Sequence, residues 1–159
     1  MTKADPLGLL AVLEAGELRL EPLEEHHREE LRIACAEDVA IWQMYGLSYD
    51  PDHFDESFAG LLANPARLAF AILVGGELAG MTAWINADAK WLSAEIGNTY
   101  IRLRHRGGAI NGPMKRLLFA QVSPAASNAS TSTSIRATSA ARPPAARSAR
   151  HSRACCATT

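Results

Sequence analysis

The 159-residue sequence predicts a mixed α/β (α+β) domain in which a mainly antiparallel sheet is flanked by helices. Three observations carry that prediction. A short alternating strand is followed by two amphipathic helical patterns; three strand patterns then run in succession; and the last of them delivers a basic turn with paired glycines onto a helix entry.

Glu17 to Leu23 (ELRLEPL) places Leu18 and Leu20 on one face and Arg19 and Glu21 on the other, the alternation of a half-buried strand ending at Pro22. Glu24 to Val39 sets Leu31, Ile33, Ala34 and Cys35 among Glu, His and Arg, as expected of a helix with a charged outer face. Ile41 to Tyr49 is loop-like or briefly helical, and its Trp42, Met44, Tyr45 and Tyr49 either line a pocket or pack beneath the loop. A second helix covers Asp52 to Ala63, with Phe54, Phe58, Leu61 and Leu62 on one side and Asn64-Pro65 as its stop. Leu68 to Val74 and Glu77 to Ile85 are strands joined by Gly75-Gly76, a pair suited to the positive φ of a hairpin turn. After a polar turn from Asn86 to Lys90, Trp91 to Ile101 completes an antiparallel meander.

Composition bounds the class. The net charge of −1 conceals an asymmetry, because every acidic residue lies at or before Glu95. The three cysteines, Cys35 alone and Cys155 beside Cys156, match neither a zinc spacing nor a disulfide framework. His26 and His27 diverge by about 100° on a helix, so no metal site is expected there. The apolar run Leu7 to Leu13 is too short to span a membrane and is flanked by Asp5 and Glu14, unlike a signal peptide. A cytoplasmic protein is the expectation, with residues 1–16 as a leader, 17–121 as the folded domain and 122–159 as a tail.

The stretch from Glu95 to Leu118, EIGNTYIRLRHRGGAINGPMKRLL, carries the sharpest chemistry. A strand that feeds a basic glycine turn and then a helix N-terminus holds anions, because unpaired N–H groups and the helix dipole converge there. Arg104-His105-Arg106-Gly107-Gly108-Ala109 resembles the pyrophosphate loop Q/R-x-x-G-x-G/A of the GNAT acetyltransferases. Glu95 to Tyr100 resembles the fourth strand of the RimJ/RimL-like branch of that family, and Asn111 with Lys115 its N-x-x-x-K helix entry. The order of elements upstream is similar as well. The likeness covers Glu17 to Gln121.

The resemblance implies an acetyl-CoA-dependent N-acetyltransferase acting on a protein N-terminus or a small amine. The main chain from Arg106 to Ile110, with Arg104, Arg106, Gly107, Gly108 and Ala109, would hold the pyrophosphate, with Asn111 and Lys115 at the helix entry. Main-chain N–H groups at Asn98, Thr99 and Tyr100 would polarise the thioester, with Gly97 permitting a bulge. Glu95 is the candidate catalytic base, or else a structural partner of Arg102 or Arg104. Trp84, Trp91 and Tyr100 contact substrate or belong to the core.

Val122 to Thr159 contains no acidic residue, no Leu and no Phe, Tyr or Trp, a composition expected to be disordered. The family's fifth strand and all that follows are therefore expected to be missing. Rebuilding each codon after Val122 from the third base of one residue and the first two of the next permits RVDFHID, a family-like fifth strand. It also permits the ending K-I-G-A-x-x-E-G-V-L-R. A frameshifted, impaired acetyltransferase is the expectation, with dimerisation through the exposed sheet edge. The alternative reading is a non-enzymatic protein whose Arg136, Arg142, Arg147, Arg150 and Arg153 bind nucleic acid. Their loose spacing and the absence of interleaved aromatics rank it lower.

Overall fold

A computed structural model of the chain describes Asp5, residues 8–88, Lys90, residues 93–107 and 110–122, and the main chain of Ile135–Ala137. Its described strands form one sheet in the order β1 (Leu13–Ala15), β2 (Leu18–Pro22), β3 (Arg67–Val74), β4 (Glu77–Asp88), β5 (Ser93–Ile101) and β6 (Ile135–Ala137). Every neighbouring pair is antiparallel except β5 and β6, which are parallel. Three α-helices accompany the sheet: α1 (Arg28–Ala36), α2 (Phe54–Ala63) and α3 (Asn111–Val122). The mainly antiparallel α+β architecture expected from the sequence is the one observed.

Two cores lie on opposite faces of the sheet, and the period-2 alternation of its strands decides which residue joins which. On one face Ala69, Ala71, Met81, Ala83 and Tyr100 meet Leu31, Ala34 and Cys35 of α1 and Phe54, Phe58 and Leu61 of α2. On the other, Leu68, Phe70, Ile72, Trp84 and Ile96 meet Met114 and Leu118 of α3 and the buried Leu9. Burial pushes the Cys35 thiol well above its ordinary range, so it packs as a small hydrophobe. Trp42 packs against Tyr49 and stacks on Tyr100 beneath the loop between α1 and α2, which resolves the open question in favour of the core for Trp42 and Tyr49, while Met44 is exposed and Tyr45 half-buried.

Most elements fall where the patterns placed them, and the differences have local causes. The first helical pattern divides into a 3₁₀ turn at Glu25–His27 and α1, and the loop-like or briefly helical segment after it begins as a 3₁₀ helix at Val39–Met44. The segment read as a leader contributes β1, turned onto β2 through Gly16 at φ 62°. Its Leu9 carbonyl accepts a 2.7 Å hydrogen bond from the Gln121 side chain, tying the start of the chain to α3. β4 runs three residues beyond Ile85, and β5 begins at Ser93, with Trp91 outside the described residues.

The sequence provides no obvious strand after Gln121, yet Ile135–Ala137 pairs with Ala94–Ile96. This corrects the expected absence of a strand beside β5 for these three residues. A parallel ladder is made by main-chain N–H and C=O groups, so a short extended stretch suffices whatever its composition. The remainder of the tail lies outside the described residues, and with it the expectations of disorder and a shifted frame.

Candidate functional site

The site is assembled around an irregularity in β5. Between the pairs Ala83↔Gly97 and Met81↔Tyr100, two residues of β5, Asn98 and Thr99, stand opposite the single Thr82 of β4. That is a β-bulge, and it turns main-chain groups out of the ladder. Asn98 takes φ 51°, a left-handed conformation that asparagine tolerates better than most residues. Gly97 lets the Ile85 side chain lie close against it: a Cβ there would stand 2.7 Å from Cδ1 of Ile85 and make that side chain shift.

Neighbouring side chains hold the bulge in place. The Tyr45 hydroxyl donates to the Thr99 carbonyl at 2.8 Å, and the Thr82 and Thr99 hydroxyls are 2.9 Å apart. The Asn98 amide donates to the Tyr49 hydroxyl at 3.1 Å, while Asn98 Oδ1 accepts from Arg67 at 3.5 Å. Burial raises the pKa of both Tyr45 and Tyr49, so both stay protonated near neutrality.

Glu95 and Arg67 flank the bulge on the α1/α2 face. Arg67 pairs in register with Ile85, and Ile85 with Glu95, so the three residues form one cross-strand row. Glu95 is half-buried and forms no ion pair among the described residues; Arg102 and Arg104, the suggested structural partners, are engaged elsewhere. Next to this row a pocket of ≈ 420 Å³ opens between α2 and the preceding loop, lined by Ser48, His53, Glu56, Asn64 and Arg67 among others. His53 is held above the ordinary histidine pKa by its hydrogen bond to Asp50.

Beyond β5 the chain enters a 3₁₀ turn at Leu103–His105, followed by Arg106, Gly107 at φ 106°, and α3. Gly108 and Ala109 lie outside the described residues. Arg104 is paired with Glu77. Arg106 Nη1 contacts Asp38 at 2.5 Å, Nε donates to the Ile101 carbonyl at 2.7 Å, and the guanidinium lies over the Tyr100 ring. Its Nη2 is buried without a hydrogen-bond partner among the described residues, as is Oδ1 of Asn111 in the first turn of α3. Lys115, one turn further on, is half-buried.

Tyr100 offers the site its main chain only. Its side chain is fully buried and its hydroxyl donates to the Ala34 carbonyl at 2.5 Å. Trp84 is likewise core. Arg67 and the carboxylates of Glu37, Asp38 and Glu77 were absent from the sequence-derived candidates. For Arg67 the available signal was its phase with Ala69 and Ala71, which puts it on the helix-covered face of β3.

Among the described residues Glu21, His26 and His27 bring ligand atoms within 4.8 Å of one another. The 3₁₀ turn brings the two imidazoles to 3.8 Å between ring centres, tilted by 38°, so the helical divergence argument does not separate them. Hydrogen bonding argues against an ion. His27 Nδ1 accepts from the Glu24 N–H at 3.1 Å, so Nε2 carries the proton and donates to Glu21 at 2.9 Å, leaving no lone pair for a metal.

No family model and no curated protein matches the sequence. Solved structures do match. An assigned acetyltransferase from T. thermophilus superposes with a TM-score of 0.61 at 25% identity, over 70% of this chain and 59% of its own. The fold is that of the GNAT acetyltransferases. A GCN5-related N-acetyltransferase from Brucella melitensis gives a TM-score of 0.62 at 23% identity, over 76% of this chain and 56% of its own. RimL, a ribosomal L7/L12 alpha-N-protein acetyltransferase solved with coenzyme A, gives 0.53 at 18% identity, over 69% of this chain and 64% of its own. This GNAT-fold chain thus spans less than two thirds of the length of each.

Proposed function

We propose that the chain is an acetyl-CoA-dependent N-acetyltransferase of RimJ/RimL type, acting on a protein N-terminus or a small amine. The observation that carries this reading is the β5 bulge at Asn98–Thr99, a short way upstream of a basic glycine turn that opens onto a helix N-terminus. The residues present fit such a cosubstrate. Gly107 leaves open space where a side chain would stand, and Arg106 Nη2 is a buried donor with no acceptor among the described residues.

Acetyl-CoA would supply an activated thioester; in the overall transfer a C–N bond forms, the C–S bond breaks, and of the two protons the ammonium gives up one goes to Glu95 and the other, by way of solvent, to the thiolate. The residues of this chain do the rest. Main-chain N–H groups of the Arg106 to Ile110 turn and the start of α3 bind the pyrophosphate, with Arg104, Asn111 and Lys115 around it. Arg106 fixes the turn to Asp38. Main-chain N–H groups of Asn98 to Tyr100 donate to the thioester oxygen, and Glu95 accepts the proton of the incoming ammonium.

The frameshift reading belongs to the same proposal, since restoring the frame would supply a longer strand beside β5. Calorimetric titration with acetyl-CoA, of this chain and of a frame-restored chain, tests both. Saturable binding by the restored chain supports the acetyltransferase reading, and weaker or lost binding by the present chain supports the lesion. A restored chain that folds and binds no acetyl-CoA would overturn the acetyltransferase reading.

A further inference from the structure

The pairing of the arginines singles out one of them. Arg19, Arg28, Arg32, Arg102, Arg104 and Arg106 each lie against a carboxylate. Arg116 is exposed on α3. Arg67 is half-buried, lines the ≈ 420 Å³ pocket, and faces no carboxylate within salt-bridge distance among the described residues. The sole hydrogen bond of its side chain among the described residues is the 3.5 Å contact with Asn98 Oδ1, which leaves most of its five N–H donors unused. A half-buried guanidinium without a carboxylate partner is held in place yet open to a ligand, and it presents a planar fork that matches a carboxylate.

The rest of the row supplies the other half of a recognition pattern. Glu95 stands on the far side of Ile85 from Arg67, two strand spacings away, on the order of 10 Å. The bulge residue Asn98 touches Arg67 directly. The pocket is the size of a small ligand and is lined by the cation of the row, Arg67, while the anion, Glu95, stands outside its lining on the far side of Ile85. Glu56 lies exposed and His53 is tied to Asp50, so neither neutralises Arg67.

We propose that this pocket seats the acceptor, and that the acceptor is a peptide-like amine bearing a carboxylate, with the carboxylate on Arg67 and the amine directed toward Glu95. This rests on the acetyltransferase reading for its chemistry and names the substrate class of that site. Arg67 is a specificity-determining residue in this scheme. The carboxylate has two sources, an acidic second side chain of a protein N-terminus or the main-chain terminus of a free dipeptide.

The test titrates the isotopically labelled full chain with three probes and follows amide shifts: Ala-Glu amide, Ala-Gln amide and Ala-Gln with a free carboxylate. The expected result is that at least one carboxylate-bearing probe shifts the amides of Ser48, Gly60, Arg67 and Asn98 with about tenfold or more tighter binding than Ala-Gln amide. A stronger response to Ala-Glu amide assigns the carboxylate to a side chain; a stronger response to the free acid assigns it to the terminus. Arg67→Gln should abolish the preference in a protein whose spectrum stays dispersed, and Arg67→Lys should retain part of it. Equal binding of all three probes, or a preference that survives Arg67→Gln, overturns the proposal. Acetyl-CoA is titrated in parallel into this chain and the frame-restored chain, so the two readings fail separately: a carboxylate preference with no acetyl-CoA binding by the folded frame-restored chain sinks only the transferase reading, and acetyl-CoA binding without the preference sinks only this one.

Discussion

The Tyr45 hydroxyl donates to the main-chain carbonyl of Thr99 at 2.8 Å, fastening the loop between α1 and α2 to the bulge of β5. The bulge removes that carbonyl from the regular β4–β5 ladder, and the phenol replaces the lost donor. Tyr45→Phe deletes the donor and keeps the ring. We expect a loss of about 1 kcal/mol of stability in urea titration. Amide exchange at Asn98 and Thr99 should accelerate while exchange in β3 stays unchanged. Uniform acceleration across the sheet would contradict the assignment of this bond to the bulge.

A second prediction concerns where the sheet has no room. A Cβ on Gly80 would stand 2.0 Å from the Tyr100 carbonyl oxygen and 3.0 Å from the Ile101 Cα, both main-chain atoms. Gly80→Ala therefore forces β4 and β5 apart, at a cost of about 3 kcal/mol or more. Gly60, on the surface of α2, meets nothing within 4 Å. Gly60→Ala should stabilise by roughly 0.5–1 kcal/mol through helix propensity. Comparing denaturation midpoints of the two variants checks both signs, and a Gly80→Ala variant as stable as the parent would contradict the packing.

Those two cases show what a sequence reveals and what it withholds. β3, β4 and α2 were legible because period-2 and 3.6-residue patterning is a property of contiguous residues, and Gly75-Gly76 marks its hairpin locally. The bulge was only hinted at by Gly97, since an extra residue is defined by the partner strand. The ion pairs of Arg104 with Glu77 and of Arg106 with Asp38 join residues far apart in sequence. No local pattern distinguishes them from free phosphate-binding cations. Arg67 stayed hidden for the same reason, because its lack of a carboxylate partner among the described residues is a statement about everything packed around it. β1 escaped notice because three residues are too few to show alternation.

The Glu37–Arg102 pair makes a prediction about pH. Arg102 is buried, donates to the Leu78 carbonyl at 3.1 Å, and holds the Glu37 carboxyl below its ordinary range chiefly through their hydrogen bonds. A depressed folded-state pKa means that the stabilisation is complete above the unfolded value and is lost as pH falls through the folded one. Glu37→Gln should cost about 1.5 kcal/mol at neutral pH. The gap between parent and variant should be constant above about pH 5.5 and close progressively below about pH 4.5. Urea midpoints measured across that range decide the matter, and a gap independent of pH would mean that the pair contributes through packing alone.

Asn111 separates binding from folding. Its Oδ1 is buried at the start of α3 with no hydrogen-bond partner among the described residues, so it contributes little to the folded chain as it stands. Asn111→Ala removes an unsatisfied acceptor and puts a strong helix former in its place, and stability should change by no more than about 0.5 kcal/mol. If the turn and helix entry hold acetyl-CoA, the carboxamide gains its missing partner from the ligand. Acetyl-CoA affinity should then fall by about tenfold, one charge-neutral hydrogen bond. Thermal unfolding with and without acetyl-CoA reads both quantities in one experiment: the unliganded transition should stay in place, and the ligand-induced shift should shrink. An unliganded transition that drops by many degrees would instead make Asn111 a structural cap of α3.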